Sequence, residues 1–392
     1  MKLKTIRDAQ VRGCRVLVRA DFNVPLAGGQ VKDDFRIRAT LPTLKWLSAH
    51  GARVGVCAHL GRPQGKPVAE LGLAPVAARL GELLDREVPL LPDCVGDEVA
   101  SRVDRMEDGE IVLLENLRFH PGEEQNDDQF ARQLADPFEL YVNDAFGAAH
   151  RAHASTAGVA DHLPAYAGLL LAREVEVLTE VVDRPRRPYL LLVGGKKAKD
   201  KLGVLADLLD KVDGFLIGGG VAFTFLRAQG QQVGDSVVDE KLLDTVAELA
   251  GRAREHGVSL DLPTDAVVAA ELSAGAQTQV VESGRIPAGW MGLDIGPETV
   301  RTFSEKVRGA GTVVWAGPMG AFEYAPFAAG TSAMARALAA SPAFTVVGGG
   351  ETGEAVVKLG LEDQFDHLST GGGATLAFLR GKQMPALEPL LA

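Results

Sequence analysis

Residues 15–62 read RVLVRADFNVPLAGGQVKDDFRIRATLPTLKWLSAHGARVGVCAHLGR, and this stretch determines the fold class. It opens with a short apolar run at 15–19, passes through a helix-like segment at 40–50, and reaches a second apolar run at 53–58. Strand, helix and strand in this order are typical of a parallel α/β sheet, because its central strands are covered on both faces and are therefore continuously apolar.

The same alternation continues along the chain, so we predict an α/β fold built on parallel sheets. Further strands are predicted at residues 111–114, 140–142, 189–193, 214–217, 258–260, 313–315 and 344–347, and further helices at 73–84, 127–135, 241–254 and 331–339. The chain has 392 residues, which is enough for two or three domains at roughly 100–200 residues each. We expect the junction at the helix-like stretch 169–182, which a basic, proline-containing segment follows at 183–188.

The composition excludes several classes of protein. Hydrophobic residues make up 46% and charged residues 24%, which excludes a disordered or fibrous chain. The formal net charge of -11 argues against nucleic acid or an anionic membrane as the main partner. Three cysteines without a CxxC pair argue against a disulfide scaffold or zinc knuckle. The N-terminus lacks the apolar core of a signal peptide, and the apolar stretch 165–172 is far shorter than the ~20 residues of a membrane helix, so we expect a cytoplasmic protein.

Cationic and polar side chains follow every predicted strand of the first half. In chain order they are Arg19, Asp21, Asn23, with Arg36 and Arg38 shortly after; then His59 and Arg62; then Glu115, Asn116 and Arg118; then Asn143, Asp144, His150, Arg151 and His153. The carboxyl ends of parallel strands meet at one edge of a sheet, and the guanidinium fork suits phosphate and carboxylate oxygens. We therefore predict a pocket for a small polyanion; the alternative for any single arginine is a surface ion pair.

Two pairs within this set have a second interpretation. His150 and His153 have a spacing that two metal ligands can have, but no third ligand or HExxH pattern accompanies them, so we favour anion binding or a structural role. Asp21 and Asp144 would orient the cationic groups and substrate hydroxyls.

The predicted strands of the second half end in glycine instead. The glycine-rich segments are GGKKAKDK at 194–201, GGG at 218–220, DIGP at 294–297, AGPMG at 316–320, GGGETG at 348–353 and STGGG at 369–373. Glycine lets backbone N–H groups approach phosphate oxygens, and a helix N-terminus adds its dipole. We predict a nucleotide site here, with tight turns alone as the alternative. No P-loop motif occurs, and the GxGxxG at 348–353 lies at the last strands without an acidic residue about 20 positions on, which argues against a dinucleotide site.

Together these motifs resemble the phosphoglycerate kinase family essentially from end to end. They are RADFNVP (19–25), FRIRATLPTL (35–44), HLGRP (59–63), LLENLRF (113–119), YVNDAFGAAHRAHAST (141–156), GGKKAKDK (194–201), GGGVAFTFL (218–226), GLDIGP (292–297), AGPMGAFE (316–323), GGGET (348–352) and HLSTGGGAT (367–375). The resemblance implies two Rossmann-like lobes, each a parallel sheet flanked by helices, joined by a hinge helix. Residues 1–170 with the tail 376–392 would bind 3-phosphoglycerate, 171–187 would be the hinge and linker, and 188–375 would bind the nucleotide.

The resemblance also implies an activity and a set of site residues. The chain would be a monomeric cytoplasmic enzyme that reversibly transfers a phosphoryl group from ATP, with Mg²⁺, to the carboxylate of 3-phosphoglycerate. The substrate residues would be Asp21, Phe22, Asn23, Arg36, His59, Leu60, Gly61, Arg62, Arg118 and Arg151. The nucleotide residues would be Lys197, Lys201, Gly292, Glu323, Gly349, Gly350, Glu351 and Thr352. The catalytic residues would be Arg36, Lys197, Gly371 and Gly372, and Glu351 would contact the metal.

Four positions depart from the family pattern, all in the second half. Glu351 replaces the usual Asp of GGGDT, Ala316 the Asn of WNGP, and Phe223 a common Asn, while the glutamate often found after the last glycine turn is missing at 376–377. Two other hypotheses compete with the kinase. One is a nicotinamide-dependent dehydrogenase that uses the glycines at 348–353, and the other is a non-catalytic two-lobe protein that binds a phosphorylated acid.

Overall fold

Two parallel sheets organise the chain, which confirms the predicted α/β class. The structure, a computed structural model, describes residues 1–392 except for the side chain of residue 200. The chain divides into two compact units. Unit 1 comprises Met1–Thr179 and Gly381–Ala392, and unit 2 comprises Glu180–Arg380.

Unit 1 is built around a sheet whose strands are buried on both faces. The strands of unit 1 are β1 (Arg15–Arg19), β2 (Leu26–Ala27), β3 (Gln30–Val31), β4 (Arg53–Cys57), β5 (Ile111–Leu113), β6 (Leu140–Asn143) and β7 (Ala165–Ala167), of which β2 and β3 form a separate antiparallel pair. Its helices are α1 (Phe35–Ala49), α2 (Ala74–Leu84), α3 (Asp97–Asp104), α4 (Pro121–Gln125) and α5 (Asp128–Ala135), and α6 (Leu169–Asp183) runs from unit 1 into unit 2.

The order of the strands in unit 1 determines where a ligand can bind. The five-stranded sheet runs β5-β4-β1-β6-β7, and every neighbouring pair is parallel. The chain builds outward from β1 to β4 and β5, then returns to place β6 on the other side of β1. Valines such as Val16, Val18, Val54 and Val56 are fully buried, and each such side chain contributes about 1.5–3 kcal/mol by leaving water. The point beside β1 and β6 where the strand order reverses is where ligands of such sheets bind.

Unit 2 repeats this plan with one more strand and an inserted antiparallel sheet. Its strands are β8 (Tyr189–Val193), β9 (Gly214–Ile217), β10 (Gln232–Val233), β11 (Ser259–Asp261), β12 (Asp265–Ala269), β13 (Gln279–Glu282), β14 (Arg285–Ile286), β15 (Met291–Ile295), β16 (Thr312–Ala316), β17 (Phe344–Val347) and β18 (His367–Leu368). Its helices are α7 (Lys199–Leu208), α8 (Gly219–Ala228), α9 (Leu243–Glu255), α10 (Pro297–Arg308), α11 (Ala329–Ala339), α12 (Glu351–Lys358) and α13 (Gly372–Leu379).

The main sheet of unit 2 runs β11-β9-β8-β16-β17-β18 with all pairs parallel. This is the doubly wound order, so its reversal falls between β8 and β16. A separate antiparallel sheet, β13-β12-β15, packs its inner face with Phe223, Leu226 and Val268. Among the described residues, no helix is both long and apolar enough to cross a membrane.

Some element boundaries differ from those predicted. Helix α1 begins at Phe35, five residues before the predicted start at 40, and the Asp33 carboxylate accepts a hydrogen bond from the Phe35 N–H at 2.8 Å. That bond satisfies one of the N–H groups that the first turn of a helix leaves without a partner. The antiparallel strands β12, β13 and β15 were not predicted.

Candidate active site

The predicted cationic and polar residues of unit 1 lie at or near the carboxyl ends of its parallel strands. They are Asp21 and Asn23 after β1, His59 and Arg62 after β4, Arg118 in the turn after β5, and Arg151 after β6, with Arg36 in the first turn of α1. We call this set the cation cluster. Apart from Arg36, its members follow β1, β4, β5 and β6, so they lie on both sides of the reversal point.

Arg36 is held by an acidic partner from the same cluster. Its Nη1 lies 3.1 Å from Asp21 Oδ2 and donates to the Asn23 carbonyl at 3.1 Å. Asp21 is buried, whereas a quarter of the Arg36 side chain remains exposed. Asp21 therefore aims Arg36 and leaves part of the guanidinium open to a ligand.

The loop after β4 is fixed by polar contacts to two neighbours. The Gly61 N–H donates to Asn23 Oδ1 at 2.9 Å, and Arg118 Nη1 donates to the Gly61 carbonyl at 2.7 Å. Phe22 and Leu60 are buried beneath it. This loop is thus held between the ends of β1 and β5.

The guanidiniums differ in how far their charge is compensated. Arg118 is buried, pairs with Glu124 at 3.1 Å, and leaves its Nε without a partner; burial lowers its pKa. Arg151 donates to His150 Nε2 at 3.2 Å. Arg62 is exposed and has no side-chain hydrogen bond or ion pair with the described residues. Excess positive charge at this edge favours an anionic ligand.

A buried polar network behind the cluster was not predicted as part of the site. Glu123 is fully buried and accepts hydrogen bonds from Ser155 N at 2.9 Å and Ser155 Oγ at 2.6 Å. Ser155 Oγ accepts from Arg19 Nε at 2.7 Å. The sequence does not predict a buried Glu123, because the segment PGEEQ is typical of the exposed start of a helix. The position of Arg19 at a strand end is the one feature of the sequence that indicates this network.

The two histidines beside this network are held uncharged. Burial, followed by the positive charge of Arg19, lowers the pKa of His153 to about 4. The same two causes lower the pKa of His59 well below its usual value. Both effects disfavour the imidazolium form.

Asp144 does not orient the arginines as predicted. Its Oδ1 accepts a hydrogen bond from Leu171 N at 3.1 Å at the start of α6, and Thr43 also hydrogen-bonds to its side chain. The carboxylate therefore caps the first turn of α6. The expectation was wrong because strand-end position does not determine which way a side chain turns.

The glycine segments of unit 2 meet where its strand order reverses. The Gly195 N–H donates to the Pro318 carbonyl at 2.8 Å, and the Gly219 N–H donates to the Met319 carbonyl at 3.0 Å. A Cβ on Gly219 would lie 2.8 Å from Gly195 N, and its φ is +60°. Only glycine lets the ends of β8, β9 and β16 come this close. The N-terminus of α8 begins at this point, and the N–H groups of Gly219 and Val221 in its first turn donate to the carbonyls of Met319 and Gly195.

Lysines from the segment after β8 lie beside these glycines. Lys197 is exposed and forms no side-chain hydrogen bond or ion pair with the described part of the chain. Lys201 lies on the first turn of α7, where its Cε would be 3.7 Å from a Cβ on Gly195. Two positive groups thus lie in the segment that contains the glycine turn after β8.

The two last glycine turns pack against each other. A Cβ on Gly372 would lie 2.7 Å from the Gly349 carbonyl oxygen, and one on Gly349 would lie 2.4 Å from the Ser369 carbonyl oxygen. Gly350 and Gly371 precede α12 and α13 without a side-chain cap. The structure therefore brings together the predicted residues of both turns, and leaves the N–H groups of two helix starts without a side-chain acceptor.

Nearby side chains tie this region to β16. Thr352 Oγ1 accepts from the Gly317 N–H at 2.7 Å and is buried, so it holds the loop after β16. Glu351 is exposed at the start of α12. Its carboxylate is the predicted metal contact and is open to an incoming cation.

Gly292 and Glu323 have different surroundings. Gly292 lies on β15, its N–H donates to Ser236 Oγ at 2.9 Å, and a Cβ there would lie 2.0 Å from the ring of Phe223. Phe223, which stands where the family commonly has Asn, thus lies on α8 and packs in the core between this helix and the antiparallel sheet. Glu323 is exposed in the loop after β16.

Within the described residues, His150 and His153 do not belong to a group of three side chains close enough to share a metal ion. The group that meets this distance is Asp93, Cys94 and His120, whose ligand atoms lie within 4.8 Å of one another. In that group His120 Nε2 hydrogen-bonds to Asp93 Oδ1 at 2.6 Å.

Doubly wound α/β units, one with a cation cluster and one with glycine loops at helix starts, are typical of enzymes that bind phosphorylated small molecules. The model of the phosphoglycerate kinase family matches residues 6–382. A phosphoglycerate kinase of Pelotomaculum thermopropionicum is 52% identical over 391 residues, 100% of each chain. One of Moorella thermoacetica is 53% identical over 386 residues, 98% of each.

Solved structures agree with these relatives. The phosphoglycerate kinase of Coxiella burnetii superposes with a TM-score of 0.86 at 41% identity, covering 99% of each chain. That of Pyrococcus horikoshii gives 0.90 at 31% identity, covering 99% of this chain and 98% of the other. The chain belongs to the phosphoglycerate kinase family.

Proposed function

We propose that the chain reversibly transfers a phosphoryl group between ATP and the carboxylate of 3-phosphoglycerate, giving 1,3-bisphosphoglycerate and ADP. The observation that carries the proposal is the cation cluster at the strand-order reversal of unit 1. A phosphorylated acid has two anionic groups, and the exposed or partly exposed Arg62, Arg151 and Arg36 offer separate contacts for them. Family membership supports the same reaction.

In unit 1, each part of the acid has its own set of residues. Asp21 and Asn23 hold the glycerate end, and Phe22, Leu60 and Gly61 shape the loop around it. The substrate phosphate is bound by His59, Arg62, Arg118 and Arg151. Arg118 has a buried Nε without a partner, and an anionic oxygen would supply the acceptor that this group lacks.

In unit 2, the nucleotide binds as its magnesium complex. Lys197 and Lys201 contact its phosphates, together with the N–H groups of Gly349, Gly350 and Thr352. Gly292 contributes to the nucleotide pocket and Glu323 binds the ribose. Glu351 contacts Mg²⁺ directly or through a bound water, because this small ion keeps several waters and takes one or two carboxylates.

The chemistry needs charge cancellation and not a general base. The acceptor carboxylate has a pKa near 4, so it is already ionised at neutral pH. The barrier comes from repulsion between this anion and the γ-phosphate, and from charge on the oxygens of the transferring group. Arg36 of unit 1 and Lys197 of unit 2 supply the positive charge, and the turn with Gly371 and Gly372 supplies N–H groups for phosphate oxygens.

The deciding experiment measures ADP formation from MgATP in the presence and absence of 3-phosphoglycerate. We expect turnover only when both are present. ATP hydrolysis at the same rate with and without 3-phosphoglycerate would contradict the proposal. Tight binding of a reduced nicotinamide that ADP does not displace would favour a dehydrogenase. Binding of 3-phosphoglycerate without any turnover would favour a non-catalytic binding protein.

We further propose that the enzyme is a cytoplasmic monomer. Cys14, Cys57 and Cys94 form no disulfide in the described chain. This is what we expect of a protein in a reducing compartment. Sedimentation equilibrium tests the monomer: a mass near 41.4 kDa is expected, and a concentration-dependent dimer would contradict it.

A further inference from the structure

The side chain of Arg19 is almost fully enclosed and each of its nitrogens has a partner. It is 1% exposed; Nε donates to Ser155 Oγ at 2.7 Å, Nη1 donates to the Ala20 carbonyl, and Nη2 lies 3.0 Å from His59 Nδ1. Glu123 Oε1 lies 3.9 Å from Nη2. These contacts leave the guanidinium a single orientation.

The contact with His59 determines where the proton of that ring lies. A guanidinium is always charged and has only N–H donors, with no acceptor. The Nη2···Nδ1 contact is therefore a hydrogen bond only if Nδ1 carries no proton and acts as the acceptor. The single proton of a neutral imidazole must then be on Nε2.

In this tautomer, Nε2 of His59 is a hydrogen-bond donor. It has no hydrogen-bond partner among the described residues, although the side chain is only 6% exposed. An anionic oxygen bound in the cation cluster would supply an acceptor.

We propose that Arg19 is a positioning residue which, held by Ser155 and Glu123, fixes His59 as the neutral Nε2–H tautomer so that the ring donates an uncharged hydrogen bond to the bound phosphorylated acid. The identity of this anion rests on the proposed function; the tautomer does not. Arg19 acts through His59 and does not itself touch the substrate.

The arrangement also predicts that His59 stays neutral at mildly acidic pH. The charged and titratable groups around it are Arg19 and Asp21 after β1, Arg36 on α1, Arg118 after β5, Glu123 and Glu124 on α4, and His150, Arg151 and His153 after β6. Arg19, Arg118, Arg36 and Arg151 all disfavour a further positive charge on the ring. Protonation of Nδ1 would in addition break the bond from Arg19.

The first test is made on the unaltered chain without substrate. In protein with ¹⁵N-labelled histidine, two-bond ¹H–¹⁵N correlations report which ring nitrogen carries the proton, and His59→Gln assigns the signal. We expect a protonated Nε2 and an unprotonated Nδ1 that do not change between pH 8 and pH 5.5. A proton on Nδ1, or a titration midpoint near the ordinary histidine pKa, would overturn the proposal.

The second test weakens the support of Arg19 while keeping every charge. Ser155→Ala removes the acceptor of Arg19 Nε, and we expect a mixture of His59 tautomers. We also expect KM for 3-phosphoglycerate to rise about five- to tenfold, as loss of one net hydrogen bond implies, with kcat within about twofold. Ser101→Ala, an exposed serine on α3, is the control and should change neither quantity.

The outcomes separate the two proposals. A single Nε2–H tautomer and an unchanged KM in Ser155→Ala would remove Ser155 and Arg19 from the positioning role. A chain that shows the expected tautomer but forms no ADP with 3-phosphoglycerate would overturn the proposed function and leave the assignment of His59 intact.

Discussion

At the scale of single residues, Arg36 is the cation of unit 1 with the clearest catalytic geometry, because Asp21 aims it while part of the guanidinium stays open. We predict that Arg36→Ala lowers kcat by on the order of 10³–10⁵, by analogy with arginines that stabilise a transferring phosphoryl group. KM for ATP should change far less. Steady-state kinetics in both substrates measure the two effects.

A matched control lies two residues along the same helix. Arg38 is 42% exposed and pairs with Asp34 at 2.8 Å, so Arg38→Ala should leave kcat within about twofold, since exposed pairs of this kind contribute little. If Arg36→Ala also stayed within a few-fold, Arg36 would not be the transition-state cation.

Glu351 is the residue that tests the proposed magnesium contact. We predict that Glu351→Asp retains activity, whereas Glu351→Ala raises the concentrations of Mg²⁺ and ATP needed for half-maximal rate. The carboxylate is exposed at the start of α12, and aspartate would keep an acidic group at this position. Glu354→Ala, one turn further along, is the control. Unchanged magnesium and nucleotide dependence in Glu351→Ala would remove this residue from the metal site.

At the scale of elements, the start of α6 contains a buried carboxyl group that links stability to pH. Burial raises the pKa of Asp144 to about 7, and Glu174 contributes a like charge. The folded state therefore holds a proton that the unfolded state releases near pH 4, so this group makes the free energy of unfolding fall as pH rises from about 4 to 7.

We predict that Asp144→Asn removes this decrease in the free energy of unfolding between pH 4 and 7. Relative to the unaltered chain, the variant should gain stability progressively between pH 4 and 7, by up to a few kcal/mol, and gain nothing further above pH 7. Denaturant unfolding at several pH values measures the difference. A difference that is constant with pH would mean that Asp144 stays ionised throughout.

The glycine loop that starts α8 and a half-buried helical glycine with open space at its Cβ position should respond oppositely to replacement by alanine. Gly219→Ala places a Cβ against Gly195 at a φ of +60°, so we expect a loss of about 1–3 kcal/mol in the free energy of unfolding and weaker nucleotide binding. Gly251 lies inside α9 with nothing within 4 Å of its Cβ position. Gly251→Ala should therefore stabilise the chain by about 0.5–1 kcal/mol. Equal effects at both positions would contradict the close-approach argument.

The strands differ in how well the sequence predicts them. The strands β1, β8 and β17 begin and end as predicted because each is a continuous apolar run between polar or glycine segments. The strands β12, β13 and β15 were missed because an antiparallel sheet with one exposed face is only partly apolar; β13, QVVE, is mostly exposed.

The candidate site also contains contacts that the sequence does not predict. Strand-end position is sufficient to predict that His59 and Arg118 lie at one edge of the sheet, because parallel topology alone brings strand ends together. The partners Glu123 and Ser155 could not be predicted, since they meet Arg19 only through tertiary packing across more than a hundred residues of chain. Asp144 was assigned the wrong role for the same reason.

At the scale of the whole molecule, the two ends of the chain together complete unit 1. After building unit 2, the chain returns at Gly381, and its last residues pack on the N-terminal segment. Lys4 N donates to the Leu390 carbonyl at 2.8 Å, and Ala386 N donates to the Ala149 carbonyl at 3.3 Å. Ala149 immediately precedes His150 and Arg151, so the tail supports the turn that carries part of the cation cluster.

We predict that ending the chain after Arg380 destabilises unit 1 selectively. The tail buries Met384, Leu387 and Leu390; at about 1.5–3 kcal/mol for each side chain, their loss is comparable with the roughly 5–15 kcal/mol that stabilises a typical domain. In thermal unfolding, the truncated chain should lose the stabilisation that 3-phosphoglycerate gives and keep that given by MgADP, because ligand binding stabilises only a folded site. Removal of Ala392 alone, which is exposed, is the control and should preserve both responses. If the truncated chain responded fully to 3-phosphoglycerate, the tail would not support the cation cluster, and the stability of that cluster would have to come from the parallel sheet alone.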